Sequence, residues 1–156
     1  MLQQLLLLLL LSSSPPSIRE PSSVLLQHQL PIYNDEFIAD LLQTVTYKRV
    51  AATSYARTSK PFGDGKLFQF TNGGNTYSCF KSKTNTFTAS FVVTKPDPIL
   101  APLLQIGMPK RQVLKKLSKS KSLDTIQVSN VEGMAVVTLF FRQDALVKIS
   151  FAATID

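Results

Sequence analysis

The chain of 156 residues has no tryptophan, one cysteine and one histidine. Cys79, being alone, can form no intrachain disulfide. It lies in a strand-like run, where a single cysteine behaves as a small apolar residue. A catalytic thiol needs a base beside it. The one histidine, His28, falls in a Ser-, Pro- and Gln-rich stretch, so a Cys-His nucleophile is not expected. One His and one Cys also fall short of a zinc site, and no metal or cofactor is expected. Acids are scarce as well. Ten Asp and Glu stand against 17 Lys and Arg, for a net charge of +7.

The N-terminal stretch lacks charge altogether before an unbroken leucine run, Leu5 to Leu11. Such a run is far short of the ~20 apolar residues that span a bilayer. Its length suits the apolar core of a secretory signal, and the following serines suit a cleavage zone. A charged segment ahead of the leucines is missing, and no cysteine follows them to carry a lipid. The expectation is export, with a low-complexity cytoplasmic tail as the alternative. Residues 15–33 then read as a linker. The resulting organisation is a signal-like leader over 1–14, the linker, a first unit over 34–98 and a second over 99–156.

What remains is patterned. Asn34 is an N-cap candidate, with Asp35 and Glu36 where carboxylates favour the helix dipole. Phe37, Ile38, Leu41, Leu42 and Val45 repeat with helical spacing. Thr44 to Val50 alternates like a strand, and Ala51 to Gly65 reads as a polar loop. Lys66 to Thr71 and Thr76 to Lys83 flank Asn72-Gly73-Gly74-Asn75, a strong hairpin signal. Thr86 to Thr94 alternates strictly. Phe68, Phe70, Phe80, Phe87 and Phe91 are expected on the buried face of a sheet, in preference to a platform for stacking bases. Pro96 and Pro98 end this unit. Gly107 then allows a turn, Pro109 suits the first turn of a helix, and Val113, Leu114 and Leu117 form its apolar stripe. Short strands over Thr125–Ser129, Ala135–Phe141 and Leu146–Phe151 follow. The fold class is α+β: antiparallel meanders, each preceded by a packing helix, joined as one continuous curved sheet or as two related helix-plus-three-strand halves.

The segment Gly107-Met108, Lys110, Gln112-Val113-Leu114 and Leu117, followed by Leu139-x-Phe141 and Asp144-x-Leu146-Val147-x-Ile149, resembles the SmpA/OmlA family of small envelope lipoproteins and the related β-lactamase-inhibitor-like folds. The resemblance covers the C-terminal third. It departs from the family at Leu117-Ser118-Lys119-Ser120, where a Leu-Gly-x-Pro turn is usual. It implies a helix followed by a three-stranded meander, and a periplasmic, envelope-associated or secreted setting. It carries over no ligand-contacting residue.

The function these observations favour is a non-catalytic exported module that binds a protein partner, by a sheet face or by edge loops such as Ala51 to Gly65. The alternative is an electrostatic binder of an anionic polymer or membrane surface. It would act through Lys110, Arg111, Lys115, Lys116, Lys119 and Lys121, a run with no acid among its charges. Nucleic acid is not the expected partner. For an enzyme, Asp64, Asp97 and Tyr77 are available as acid or base, but no spacing pairs them.

Overall fold

The structure is a computed structural model and describes residues 31–119 and 123–154. The leader, the linker up to residue 30, His28 and Lys121 lie outside the described residues. Helix α1 (Asp35–Thr44) starts at Asn34, whose side chain accepts from the Phe37 N–H at 2.9 Å. Its stripe of Phe37, Ile38 and Leu41 is buried, with Val45 just beyond its end. Strand β1 (Ile32–Tyr33) precedes it, so the expected linker already ends in a sheet.

Where alternation predicts a strand over Thr44–Val50, the chain instead forms a short helix, α2 (Tyr47–Ala51). The Thr46 hydroxyl caps it by accepting from the Arg49 N–H at 3.3 Å. Tertiary packing decides the matter. Val50 points into the core, and the Tyr47 ring meets Phe68 edge-on at 5.3 Å. Seven residues of alternation are too few to outweigh a cap and an aromatic anchor.

The expected loop over Ala51–Gly65 contains a strand, β2 (Ala56–Phe62), every residue of which is exposed. With neither face covered, it has no apolar period to betray it. It is an edge strand that pairs with β3 (Gly65–Asn72). β4 (Asn75–Lys81) and β5 (Thr86–Val93) follow. The hairpin at Gly73 and Gly74 forms as expected, with φ of 57° and 101°. The first unit thus has four strands beyond its helices.

Gly107, at φ 90°, turns the chain into α3 (Lys110–Lys116), whose Val113 and Leu114 are buried, as is Leu117 just past its end. β6 (Thr125–Ser129), β7 (Ala135–Arg142) and β8 (Ala145–Ala153) complete the chain's strands.

All eight strands form one sheet in the order β1-β6-β7-β8-β5-β4-β3-β2. The two meanders are therefore not separate halves. Their last strands, β5 and β8, pair antiparallel at the centre, with Phe91 opposite Phe151. α1 packs against β6 and β7, and α2 against β4 and β5, on one face. Phe70, Tyr77, Phe91, Phe151, Ile149 and Leu139 fill the core between them. Phe80 is buried as expected and Phe87 half-buried, but both lie outside the core beneath the helices. Register sets Phe80 beside Leu67 and Phe87, one residue out of step with Tyr77 and Cys79. In a strand that single step turns a side chain to the opposite face, and on β5 the register irregularity at Ala89 turns Phe87 out of step with Phe91. There the Phe80 and Phe87 rings lie 5.0 Å apart, and half-exposed Phe62 closes over Phe80 at 6.1 Å.

Candidate functional site

A concavity opens where four strands end beneath the helices. α1 contributes Leu42, with Val45 following it, and α2 contributes Tyr47 and Lys48. Lys81 comes from the end of β4, and Met134 and Ala135 from the start of β7. The cavity volume is about 640 Å³, within the range of natural ligand sites of roughly 300–1,000 Å³. A groove forms because α1 is short. It stops at Thr44, and α2 begins at Tyr47 over a different strand pair, leaving the sheet end between them uncovered. The apolar surface does not end at the groove. Met134 on its rim is 45% exposed, and Val131, in the same β6–β7 turn, is 70% exposed. That turn is held against α1 by the Val131 N–H, which donates to Asp35 Oδ1 at 2.8 Å.

Among the described lining residues the charges are positive and lie on one side, at Lys48 and Lys81. Lys81 Nζ sits 4.9 Å from the centre of the Tyr47 ring. Lys66 stands directly opposite Lys81 in the β3–β4 register. Among the described residues the only ion pairs are those of Lys110, so Lys48, Lys66 and Lys81 carry no carboxylate partner. Like charges face to face across two strands are unfavourable.

Sequence reasoning singled out other residues. The basic run is divided by the structure. Lys110, expected on a wet face, is only 6% exposed at its side chain, with Nζ 3.0 Å from Asp124 Oδ1 and 3.5 Å from Asp144 Oδ1. Those two acids balance its charge, and the Phe141 ring lies 5.4 Å away. The Asp124 hydrogen bond is the main reason its pKa is raised. The acids are absent from the run itself and arrive by folding, one at the start of β6 and one in the β7–β8 turn. That turn is strained, with Gln143 at φ 49° and Asp144 at φ 57°. The Asp144 carbonyl accepts the Lys110 N–H at 2.8 Å, which helps hold it there. Arg111, Lys115, Lys116 and Lys119 remain exposed.

Lys110 should therefore behave unlike its neighbours. Lys110→Ala is expected to lower stability by about 2 kcal/mol, through lost packing of a buried stem as much as lost charge. Lys115→Ala should change it by less than about 0.5 kcal/mol. Urea unfolding of both variants checks the contrast, and equal effects would put Lys110 on the solvated face after all.

No known protein family, curated protein or solved structure matches the chain. The site must stand on its own geometry.

The three residues named for acid–base work part company. Asp64 is exposed at the β2–β3 turn. Asp97 and Tyr77 do come together, with two partners that the sequence reading missed. Asp97 Oδ2 accepts from the Tyr55 hydroxyl at 2.7 Å and from Asn75 Nδ2 at 3.0 Å, while Oδ1 accepts from the Ile99 N–H at 2.8 Å. Burial, then the Asp97 hydrogen bond, pushes the Tyr55 pKa up to about 12. The Tyr77 hydroxyl is buried and, among the described residues, has no hydrogen-bond partner, and burial raises its pKa strongly. A carboxylate that already accepts three donors at 4% exposure is poorly placed to act on a substrate. Cys79 is fully buried, and its thiol is pushed up to about 11 by that burial, which disfavours the nucleophilic thiolate. Among the described residues no cluster of three His, Cys, Asp or Glu could hold a metal, and no helix is long and apolar enough to cross a membrane.

Proposed function

We propose that this chain is a non-catalytic, exported binding module that recognises a protein partner through the groove beneath α1 and α2. One observation carries the reading. The groove is rimmed by exposed Met134, and Val131 in the same β6–β7 turn is exposed as well, so apolar surface extends past what a small molecule lying in the groove would cover. A protein that seats one large side chain in the groove and rests on the β6–β7 turn would bury both. Methionine at the rim suits such contacts, because it adapts its shape. Leu5 to Leu11 supports the exported setting, and the engaged state of Asp97 and Cys79 supports the absence of catalysis. The open sheet face is the weaker surface. The concavity lined by Ser59, Leu67, Gln69 and Ser78 is smaller, at about 280 Å³, and of the aromatic trio only Phe62 is well exposed.

The test is site-specific photocrosslinking in the native host. A photoreactive side chain at Met134 should give a discrete protein adduct that is lost in the Thr154→Trp variant, which fills the groove mouth. The same probe at Gln127, on the open face, should give none. Equal adducts at the two positions, or an adduct indifferent to Thr154→Trp, would overturn the groove reading. A second reading, electrostatic binding through α3, keeps the support of exposed Arg111, Lys115, Lys116 and Lys119 but loses Lys110.

A further inference from the structure

We infer that the partner enters the groove as an acidic segment, with its carboxylates against the α2–β4 wall and its apolar anchor toward Met134. This rests on the groove reading above and goes beyond it by fixing the chemistry and direction of the occupant. Three observations meet here. Among the described residues, Lys48 and Lys81 line the groove, and no Asp or Glu does. Lys66 and Lys81 are set face to face by the β3–β4 register, and neither has an ion-pair partner among the described residues. The residues described on the opposite wall, Asn130, Met134, Ala135, Ala153 and Thr154, are uncharged.

The juxtaposition of Lys66 and Lys81 is informative because the fold tolerates it at a cost. Two ammonium groups directly across a strand pair repel. The chain relieves part of this by laying Lys81 over the Tyr47 ring, a cation–π contact that leaves the positive charge in place. By contrast Lys110, which has a structural duty, is supplied with two acids by the fold. The groove lysines are left for an anion from outside. A carboxylate set against Lys48 and Lys81 would offset the charge that Lys81 presents to Lys66 and meet two charge-assisted donors. A residue or two further along, the same segment would reach the neutral wall, where an apolar side chain fits. Asp64 lies nearby in sequence at the β2–β3 turn but makes no ion pair with these lysines.

The experiment pans a random twelve-residue peptide library on phage against the full chain, with counter-selection against its Thr154→Trp variant. Circular dichroism establishes that every variant is folded. The enriched peptides should share a large apolar residue flanked by an excess of Asp and Glu. A synthetic copy of the best peptide should bind the Lys48→Glu, Lys81→Glu double variant about ten-fold more weakly, and added salt should weaken it further.

Enriched peptides without an acidic excess, or an affinity indifferent to the double reversal, would overturn the acidic-segment inference and leave the groove reading standing. Enrichment unaffected by Thr154→Trp, or no enrichment at all, would overturn both. Vesicles of phosphatidylglycerol are the second probe. Binding to them that is lost on the double reversal, with no peptide enriched, would replace a protein segment by a lipid surface.

Discussion

Phe91→Ala is expected to cost about 3–5 kcal/mol and to weaken the entire chain at once. Phe91 is 1% exposed on β5, the strand that joins the two meanders. Its ring stacks on Phe151 of β8 at 5.1 Å and tilts against Tyr77 of β4 at 5.6 Å. Truncation therefore opens a cavity at the β5–β8 pairing, the only one that joins the two meanders among the described residues. A domain of this size has roughly 5–15 kcal/mol in hand, so much of the stability would go. Phe91→Leu keeps more of the volume and should cost clearly less. Urea unfolding followed by circular dichroism and by tyrosine fluorescence should give one coincident transition for each variant. Two resolved transitions, one insensitive to Phe91, would mean that the meanders fold independently.

That central seam is also why the groove exists. The β5–β8 pairing brings the end of β4 and start of β5 alongside the end of β8 and start of β7. Lys81 and Thr86 from one meander then share a cavity with Met134, Ala135 and Ala153 from the other. Neither meander contains the groove alone. A substitution that loosens the seam should therefore weaken binding as well as stability, whereas Thr154→Trp should weaken binding only.

The sequence was most informative where a residue's neighbours along the chain decide its role. The Asn34 cap, the α1 stripe, the Asn72–Asn75 hairpin, β5 and the buried stripe of α3 all lie where local pattern puts them. It was least informative where the decision is made at a distance. β2 is held only by β3 and has no buried face, so its composition resembles a loop. α2 depends on Phe68 and Phe70, about twenty residues away. Lys110 looked like one of six equivalent cations until Asp124 and Asp144 were folded against it. The groove was illegible for the same reason. Its lining comes from six separate stretches of chain, each unremarkable by itself. The face-to-face lysines can be seen only once the β3–β4 register is known.

Asp97→Ala is the second large effect to expect, at about 3–5 kcal/mol in total, since each buried donor left without a partner costs roughly 1–3 kcal/mol. The carboxylate ties three places together: Tyr55 ahead of β2, Asn75 at the start of β4, and Ile99 in the crossover from β5 to α3. Asn75 extends the tie, because its Oδ1 accepts the N–H groups of Thr94 and Lys95 at 2.9 and 3.0 Å. Pro96 and Pro98 on either side restrict the crossover backbone, which favours this one arrangement. Tyr55→Phe removes a single donor and leaves two on the carboxylate, so about 1 kcal/mol is expected. The two variants should also separate in alkali. The folded-state pKa of Tyr55 is raised from 10.0 to about 12. A raised pKa stabilises the fold fully below the unfolded value and is lost as pH climbs through the folded one. Wild-type stability should thus fall between about pH 10 and 12. Tyr55→Phe should flatten part of that fall, the remainder belonging to Tyr77, whose pKa is raised as well. Urea midpoints across this pH range decide the point. If Tyr55→Phe and wild type lose stability in parallel, the hydroxyl is not buried against Asp97. If Asp97→Ala is nearly neutral, the crossover is held by packing alone.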